Sequence, residues 1–336
     1  MFLYLDTPGF RMGRKSGRIV VYLHDGSRRE VPVVRLDAVV VGARGSISSD
    51  AVRLLSMNGI PVVFASRFSP YAVVHPFFMH GTVVTRREQM LSYSDNRGVH
   101  LAKAFCYAAT MNKARVLMYL AKSRGVVEFR EISKRIEEIA NEIMSVEGGL
   151  DDIRLRLMGL EGNAARMYFD ALCSVFPEWT GFVGRDYRPP TDPVNSLLSY
   201  GYVVLNAICC LAIAKCGLEP FAGFLHCDRS GKPSLVLDLS EEFRQPIVDI
   251  IAIRLFSKGM LSEGHFVFGD DGFVYLNREG KAVFFEALSK RLRKRVKDPY
   301  GSPVAFKGAI MRQARNIARF VLGVIPSYKP FVWRWW

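Results

Sequence analysis

The stretch VHLAKAFCYAATMNKARVLMYLAKSR, residues 99–124, decides the fold class of this chain. Its apolar residues recur at the spacing of one helix face, and it holds no glycine or proline that would end a strand. A second run, VEFREISKRIEEIANEIMSV at 127–146, is amphipathic and alternates acidic with basic residues along one face. Similar patterns continue towards the C-terminus. We therefore predict a helical region that starts near residue 98.

The residues before this stretch indicate β-structure instead. Short runs rich in β-branched residues are separated by Gly, Pro or Asp: RIVVYL (18–23), AVVVGA (38–43), PVVFAS (61–66) and YAVV (71–74). One helix is predicted between these runs, with Ser48 or Ser49 as its N-terminal cap and Gly59 at its end.

These two patterns predict an α+β protein. A small β-rich domain is expected at residues 1–85, followed by a linker at 86–97. A larger, all-α-helical domain is expected at residues 98–336.

The composition favours an anionic partner. The chain has 336 residues, a net charge of +14 and a hydrophobic fraction of 49%. That fraction is enough for a sizeable core and too high for a disordered chain. The positive surplus favours nucleic acid first and an acidic membrane surface second.

The six cysteines and one long apolar segment bear on the location of the protein. No two cysteines form a C-x-x-C pair, and most lie in apolar stretches, so we expect buried, reduced thiols in a cytoplasmic protein. Residues 197–214 are uncharged and nearly long enough to span a membrane. Because Ser199, Gly201 and Asn206 interrupt this single segment, we predict a buried core helix and no membrane partner.

Four acids and histidines stand in apolar surroundings, where a charged side chain needs a partner. Glu161 lies in LMGLEGNAARMYF, His226 follows EPFAGFL, and Asp238 and Glu241 close the run SLVLDLSEEF. An oxygen-rich set with one imidazole suits Mg²⁺ or Mn²⁺ better than zinc. Such an ion binds phosphate oxygens and activates water or hydroxyl groups. These residues are therefore candidates for metal-dependent phosphodiester chemistry.

Each of these residues also has a purely structural interpretation. Asp238 and Glu241 have the spacing of a capping box before a helical run. A lone histidine such as His226 is more often a satisfied core histidine. Glu161 fits the first turn of a helix, where the dipole favours an acid. The sequence leaves open whether Asp238 binds a metal or caps a helix.

Basic residues are concentrated in two places. The run SKRLRKRVK at 289–297 holds six cations in nine residues. Arg312, Arg315 and Arg319 share one helix face by their spacing. For both groups the alternatives are a solvated surface and a track for DNA phosphates, since Lys and Arg neutralise the DNA backbone and release counterions.

Several longer stretches resemble the CRISPR-associated integrase family, the catalytic subunit of the spacer-acquisition complex in prokaryotic adaptive immunity. They are LEGNAARMYFDAL (160–172), RPPTDPVNSLLSYGYVVL (188–205), EPFAGFLH (219–226), LVLDLSEEFRQPIVD (235–249) and YKPF (328–331). A looser likeness covers residues 31–66. The order and intervals of these stretches are highly specific, and the likeness covers nearly the whole chain.

The resemblance implies a metal-dependent DNA endonuclease and integrase with a small β-domain and a larger helical domain. Its members insert the 3′-hydroxyl ends of a short DNA fragment, the spacer, into a repeat array by transesterification, for antiviral defence. Two copies are expected to pair through their β-domains into a homodimer. Two dimers then assemble with a small companion adaptation subunit on double-stranded and branched DNA.

By the same resemblance, the family's metal-binding residues match positions of this chain. We expect Glu161, His226 and Glu241 to hold Mg²⁺ or Mn²⁺, with Asp238 close by as a fourth catalytic residue. Seven side chains are expected to contact DNA: Arg166, Tyr168, Lys290, Arg291, Arg293, Lys294 and Arg295. For Tyr168 the alternative is packing, and for Arg166 it is a surface ion pair.

Two other functions compete with the enzyme. A non-catalytic DNA-binding scaffold of the same fold need not keep Glu161, His226, Asp238 and Glu241 together. A membrane protein that uses residues 197–214 predicts solubility that depends on detergent.

Overall fold

The computed structural model describes residues 2–36, 38–65, 70–74, 82–186 and 189–334. Within these ranges the N-terminal part forms two four-stranded sheets and one helix. Its elements are β1 (Phe2–Leu5), β2 (Phe10–Lys15), β3 (Arg18–Tyr22), β4 (Arg28–Pro32), β5 (Ala38–Val41), β6 (Gly45–Ile47), α1 (Ser49–Met57), β7 (Val62–Ala65) and β8 (Pro70–Val74).

The two sheets differ in topology. The first has the order β1-β5-β7-β8, in which β1, β5 and β7 are parallel and β8 is antiparallel to β7. The second has the order β4-β3-β2-β6, with an antiparallel meander from β2 to β4 and a parallel β6 at its edge. The β-rich N-terminal part is therefore confirmed.

Alternation of side chains explains how the two sheets share a core. Leu3 and Leu5 lie on one face of β1, and Phe10 and Met12 lie on one face of β2, because successive side chains point to opposite sides of a strand. All four are buried in one cluster, which α1 joins through Leu55.

The predicted ends of α1 are confirmed. The Ser48 hydroxyl oxygen accepts a hydrogen bond from the backbone N–H of Ala51 at 3.2 Å. Gly59, two residues after the helix, has a φ of 65°, a left-handed conformation that glycine adopts without strain.

The rest of the chain is mainly helical, which confirms the α+β class. The helices are α2 (Thr82–Ser92), α3 (Asn96–Arg124), α4 (Val127–Ser145), α5 (Leu150–Leu172), α6 (Pro193–Lys215), α7 (Ser234–Glu241), α8 (Ile250–Ser257), α9 (Arg278–Arg293) and α10 (Phe306–Val321). A π-helical segment, Arg244–Asp249, joins α7 to α8.

Two short ribbons interrupt the part that was predicted to be all-α-helical. β9 (Phe266–Phe268) pairs with β10 (Val274–Leu276), and β11 (Arg295–Lys297) pairs with β12 (Pro303–Ala305). Strands of three residues are too short to show a clear two-residue alternation, so the sequence pattern does not reveal them.

Most of the segment predicted as a linker, residues 86–97, is helical. α2 continues to Ser92, and α3 begins at Asn96. The pattern of α2 is hard to recognise because Val83, Val84 and Leu91 are exposed although they are apolar. Where one domain ends and the next begins remains a prediction.

α6 is the central helix and contains the apolar segment at 197–214. In the part of the chain that the structure describes, one helix is long and apolar enough to cross a membrane, and 83% of that window is buried inside the protein. Ala207 and Leu211 of α6 pack against Ala38 of β5 and Val63 of β7. The segment is thus a core helix, as predicted, and it joins the first sheet to the helical region.

Candidate active site

The four candidate catalytic residues come from three elements of the helical region. Glu161 lies in the middle of α5, and His226 lies in the loop before α7. Asp238 and Glu241 lie on α7, about one turn apart. Because α5 begins at Leu150, the interpretation of Glu161 as a first-turn residue is wrong.

Asp238 holds the loop before α7 and does not cap a helix. Its side chain is buried, and Oδ2 accepts hydrogen bonds from the backbone N–H groups of Phe224 at 2.6 Å and Leu225 at 3.1 Å. Oδ1 accepts from the backbone N–H of His226 at 2.9 Å. Since α7 already begins at Ser234, four residues before Asp238, the capping-box interpretation is wrong. A carboxylate with this many donors has little capacity left for a metal ion.

The same carboxylate orients the His226 ring. Asp238 Oδ1 lies 2.7 Å from His226 Nδ1, so Nδ1–H donates to the carboxylate and Nε2 is the ring nitrogen left for another partner. Nε2 faces Glu241, 3.9 Å from Oε1. A carboxylate that accepts from one ring nitrogen fixes the tautomer of a histidine whose other nitrogen binds a metal. His226 therefore has the orientation of a ligand, and its side chain is 18% exposed.

Gly223 allows α7 to approach the loop this closely. A Cβ atom at Gly223 would lie 2.6 Å from the Cβ of Ser234 and 3.0 Å from Asp238 Oδ2. Such contacts are too short for carbon, so a larger residue would push the loop away from Asp238.

Two further helices fix the loop through buried polar side chains. Gln89 of α2 donates from Nε2 to the carbonyls of Glu219 at 3.0 Å and Ala222 at 2.7 Å, and its Oε1 accepts from the backbone N–H of Glu219 at 2.7 Å. Arg154 of α5 donates to the carbonyl of Phe224 from Nε at 3.2 Å and from a terminal nitrogen at 3.0 Å. The loop that carries His226 is thus held by α2, α5 and α7.

Each glutamate of the site is paired with a cation that the sequence analysis missed. Lys113 of α3 is buried, and its Nζ lies 2.6 Å from Glu161 Oε1. Arg244 begins the π-helical segment, and a terminal nitrogen lies 2.5 Å from Glu241 Oε1. Burial alone would lower the pKa of Lys113 and raise that of Glu161. The ion pair outweighs burial, so the pKa of Lys113 is raised and that of Glu161 is lowered.

Sequence signals for both cations exist. Arg244 follows Glu241 by three residues, a spacing that brings opposite charges together on a helix. Lys113 interrupts the apolar residues of the stretch at 99–124, where a buried ammonium group needs an acidic partner. Neither signal identifies the partner of Lys113, because Glu161 lies on a different helix.

Tyr168 is a predicted DNA contact that the structure contradicts. Its side chain is 0% exposed, and its hydroxyl donates to Asp249 Oδ2 at 3.0 Å. The Tyr202 hydroxyl donates to the other oxygen of Asp249 at 2.7 Å, and the Arg244 guanidinium lies over the Tyr202 ring, 5.1 Å from its centroid. Tyr168 therefore packs beneath the site and supports the segment that carries Arg244.

Arg291 is the second predicted DNA contact that needs correction. Its guanidinium donates to the carbonyl of Pro246, with Nε at 2.7 Å, and lies between the rings of Phe306 and Trp333 at 4.7 and 5.0 Å. Burial lowers the pKa of this guanidinium to about 10. Arg291 therefore ties α9 to the π-helical segment, a structural role that a run of cations in the sequence does not reveal.

The other predicted DNA contacts are exposed: Arg166, Lys290, Arg293, Lys294 and Arg295. Arg166 lines an open cleft of about 670 Å³ that also borders Gly162, the neighbour of Glu161. Lys290 pairs with Glu286 at 2.6 Å on the surface of α9, an interaction that contributes little in water. These five assignments stay predictions.

The residues fit a divalent ion by type, although their present spacing does not form a closed metal centre. Among the residues that the structure describes, no group of three or more His, Cys, Asp and Glu side chains is placed to hold a metal ion. Glu161 and Glu241 instead contact Lys113 and Arg244. Two carboxylates and one oriented imidazole are nevertheless suitable ligands for Mg²⁺ or Mn²⁺. Metal binding would require the ion pairs to open, and the metal assignment stays a prediction.

Comparisons with known proteins place this geometry in context. The family model described as CRISPR associated protein Cas1 matches residues 3–290. A curated relative from Archaeoglobus fulgidus, named CRISPR-associated endonuclease Cas1 1, is 36% identical over 350 residues that cover all of both chains.

Two solved structures share the fold. A casposase bound to its integration product has a TM-score of 0.85 and 22% identity, and the match covers 98% of this chain and 92% of that one. A chain of a Cas6-RT-Cas1–Cas2 complex has a TM-score of 0.81 and 21% identity, and the match covers 98% of this chain and 36% of that one. At these identities the likeness shows the fold alone.

Proposed function

The chain belongs to the Cas1 family of CRISPR-associated proteins, and on this basis we propose that it is a metal-dependent DNA endonuclease and integrase. It inserts short DNA fragments into a CRISPR array through attack of a DNA 3′-hydroxyl group on a phosphodiester. One observation carries the proposal: Asp238 orients the ring of His226 so that Nε2 faces Glu241. The name of the Archaeoglobus relative, an endonuclease, supports the same chemistry.

In this proposal Glu161, His226 Nε2 and Glu241 would hold Mg²⁺ or Mn²⁺. When bound, the ion takes up charge on the scissile phosphate and activates the attacking hydroxyl group or water. Asp238 keeps the ring proton on Nδ1, so that Nε2 stays a lone-pair donor.

Each of the two cations of the site forms an ion pair with one of its glutamates. Lys113 holds Glu161 in its ionised form, which is the form that binds a metal. Arg244, three residues further along the chain, neutralises Glu241. The proposed reaction needs no serine, cysteine or tyrosine nucleophile, because the attacking oxygen belongs to DNA or water.

DNA reaches this site along exposed cations. The side chains proposed to contact phosphates are Arg166, Lys290, Arg293, Lys294 and Arg295. Of these, Arg166 lies nearest to the catalytic residues in sequence and lines the cleft beside α5. The net charge of +14 supports binding that depends on counterion release.

We also propose the assembly expected of the family. Two copies pair through their β-rich parts, and a small companion subunit joins two such dimers on double-stranded or branched DNA. The structural neighbour described as a Cas6-RT-Cas1–Cas2 complex supports the companion subunit of this arrangement. All six cysteines are free, which agrees with a reducing, cytoplasmic location.

A test of the proposal compares strand transfer and cleavage of branched DNA in the presence of Mn²⁺. Glu161→Ala and His226→Ala should each lower the rate at least 100-fold, because each removes a ligand of the ion. Matched controls are Glu138→Ala and His24→Ala, which change exposed residues outside the site. Equal rates in all five proteins, wild type included, would overturn the assignment of these residues.

A non-catalytic DNA-binding scaffold is the second candidate. It is favoured by one observation: each glutamate is paired with a cation, so its charge is compensated without a metal. A scaffold would bind branched DNA with a normal salt dependence and would not cleave it with Mg²⁺ or Mn²⁺. The strand-transfer assay therefore separates the two candidates.

A further inference from the structure

The C-terminal strap, residues 328–333, is an irregular segment that crosses the helical region. It contains YKPF, a stretch that supports the family resemblance but has no role in the function proposed above. Its side chains alternate between interior and surface: Tyr328 and Trp333 are 2% exposed and Phe331 is 0% exposed, whereas Lys329 is exposed. The strap is therefore inserted into the core and does not merely lie on it.

Three buried side chains, Glu242, Gln313 and Asn112, form hydrogen bonds with the polar groups of the strap. Glu242, which follows α7, accepts from the Tyr328 hydroxyl at 2.5 Å and from the backbone N–H of Phe331 at 2.9 Å. Gln313 of α10 donates to the carbonyl of Lys329 at 3.0 Å and also to Glu242 at 2.9 Å. A buried carboxylate is tolerated only with donors of this kind, so Glu242 depends on the strap.

Asn112 of α3 completes the attachment. Its Nδ2 donates to the carbonyl of Phe331 at 3.0 Å, and its Oδ1 accepts from the backbone N–H of Trp333 at 2.7 Å. The same Nδ2 donates to the backbone carbonyl of Glu242 at 2.8 Å. The strap, α3 and the end of α7 thus form one hydrogen-bonded unit.

Two of the three residues that hold the strap, Asn112 and Glu242, are the chain neighbours of residues in the site. Asn112 precedes Lys113, which pairs with Glu161. Glu242 follows Glu241, which faces His226 and pairs with Arg244. On one helix, adjacent residues point about 100° apart, so one can grip the strap while the other reaches the site.

We propose that the strap is a positioning element of the active site. By binding Asn112 and Glu242 it fixes α3 against the end of α7, and this sets the distance between the Lys113–Glu161 pair and Glu241. Glu242 and Tyr328 are then positioning residues, since they touch neither DNA nor the metal ligands directly. The role in catalysis rests on the proposed function, whereas the effect on helix placement does not.

The test uses the full-length protein with two substitutions in the network. Tyr328→Phe removes one hydroxyl group, and Glu242→Gln replaces the carboxylate by an amide of the same shape. Lys329→Ala is the control within the strap, because this side chain is exposed. Leu120→Ala on α3 is the control for a general loss of stability, because it empties a buried position whose side chain forms no hydrogen bond with the strap.

Two measurements are made well below the unfolding temperature of every variant. The first is Mn²⁺ affinity, followed by the free-ion electron paramagnetic resonance signal, with kcat and KM for branched DNA. For Tyr328→Phe and Glu242→Gln, the Kd for Mn²⁺ should rise about tenfold, as expected when a group that orients metal ligands is lost. Their kcat should fall at limiting Mn²⁺ and recover at saturating Mn²⁺, with KM unchanged. Wild-type Mn²⁺ affinity in both would overturn the catalytic role.

The second measurement is backbone amide exchange in residues 110–116 and 238–244. Faster exchange in both segments for Tyr328→Phe and Glu242→Gln, but not for Lys329→Ala, is the expected result. Unchanged exchange would overturn the strap as a positioning element. If the wild type itself shows no Mn²⁺ binding and no strand transfer, the proposed function fails, and exchange alone then decides whether the strap places the helices.

Discussion

Two cationic regions of this protein have similar residues and opposite surroundings. Lys113 and Arg244 lie inside, each within 2.6 Å of a carboxylate oxygen of the candidate site. The run at 290–295 lies mostly on the surface, where Arg293 and Lys294 are exposed. The comparison teaches that a net charge of +14 combines cations that neutralise acids of the candidate site with cations that face solvent and are proposed to contact DNA phosphates.

The largest effect is expected inside, for Lys113→Met. Removal of one partner of a buried ion pair leaves Glu161 uncompensated and should cost about 3–5 kcal/mol of unfolding free energy. Added Mn²⁺ should restore part of this loss, because the ion replaces the positive charge of the ammonium group. Thermal unfolding with and without Mn²⁺ measures both effects.

The control for this variant is Lys103→Met, a half-buried lysine on the same helix. Its unfolding temperature should change little, and Mn²⁺ should shift it no more than in the wild type. A Mn²⁺ shift of equal size in Lys113→Met and wild type would contradict the claim that the ion and the ammonium group serve the same carboxylate.

Asp238→Asn should have the next largest effect. The amide keeps one acceptor but loses the charge-assisted hydrogen bonds to the loop and to His226. This should lower the free energy of unfolding by about 3 kcal/mol. Mn²⁺ affinity should fall about 10–100-fold, because the His226 tautomer is no longer fixed. Isothermal titration calorimetry measures the Mn²⁺ affinity, and urea unfolding measures the free energy of unfolding.

Asp228→Asn is the matched control, since Asp228 lies in the same loop and accepts a single hydrogen bond, from Gly223 at 3.2 Å. It should bind Mn²⁺ like the wild type. If both substitutions weaken Mn²⁺ binding equally, the effect belongs to the loop as a whole and not to the Asp238–His226 contact.

A smaller effect is expected for Gln89→Leu, which removes an uncharged side chain that holds the loop before α7. The substitution leaves the buried carbonyls of Glu219 and Ala222 without their donor and should cost about 2 kcal/mol. Amide exchange in residues 219–226 should become faster, while DNA affinity stays the same. Unchanged exchange in this loop would show that α2 does not hold it.

The smallest effects are expected in the run at 290–295, where a packed arginine, Arg291, can be compared with an exposed one, Arg293. Arg291→Ala should cost about 1 kcal/mol through its lost hydrogen bonds to Pro246 and leave the salt dependence of DNA binding unchanged. Arg293→Ala should leave stability within about 0.5 kcal/mol. It should make the slope of log K against log salt less steep by about 0.9, the value for one phosphate contact.

Fluorescence anisotropy of labelled duplex DNA at several salt concentrations measures these slopes, and urea unfolding measures stability. The same change in slope for both arginines would mean that Arg291 leaves its pocket to contact DNA. No change for either would mean that this surface does not meet the phosphates.

Much of the fold follows from local patterns. The β-branched runs, the Ser48 cap and the long apolar helix α6 all appear where predicted, because each depends on residues close together in the chain. The sequence did not predict α2, because this helix exposes apolar residues and is held by Gln89, whose partners lie about 130 residues away. Long-range contacts of this kind leave no periodic signal in the sequence.

As with the fold, part of the candidate site could be predicted from the sequence. Motif resemblance identifies Glu161, His226, Asp238 and Glu241, and the geometry then separates their roles. Asp238 accepts hydrogen bonds from the backbone of the loop and from the His226 ring. This role was not among the two predicted alternatives, a helix cap and a metal ligand. The sequence does not identify Glu161 as the partner of Lys113, because this pairing depends on the distance between α3 and α5.

The central claim is that Glu161, His226 and Glu241 hold one divalent ion. The most direct measurement is the anomalous scattering of Mn²⁺ in crystals of the full-length protein. We expect a single strong peak about 2.0–2.3 Å from His226 Nε2 and from an oxygen of each glutamate, with Asp238 still bound to Nδ1. No peak there, with Lys113 and Arg244 still paired to the glutamates in saturating Mn²⁺, would contradict the claim.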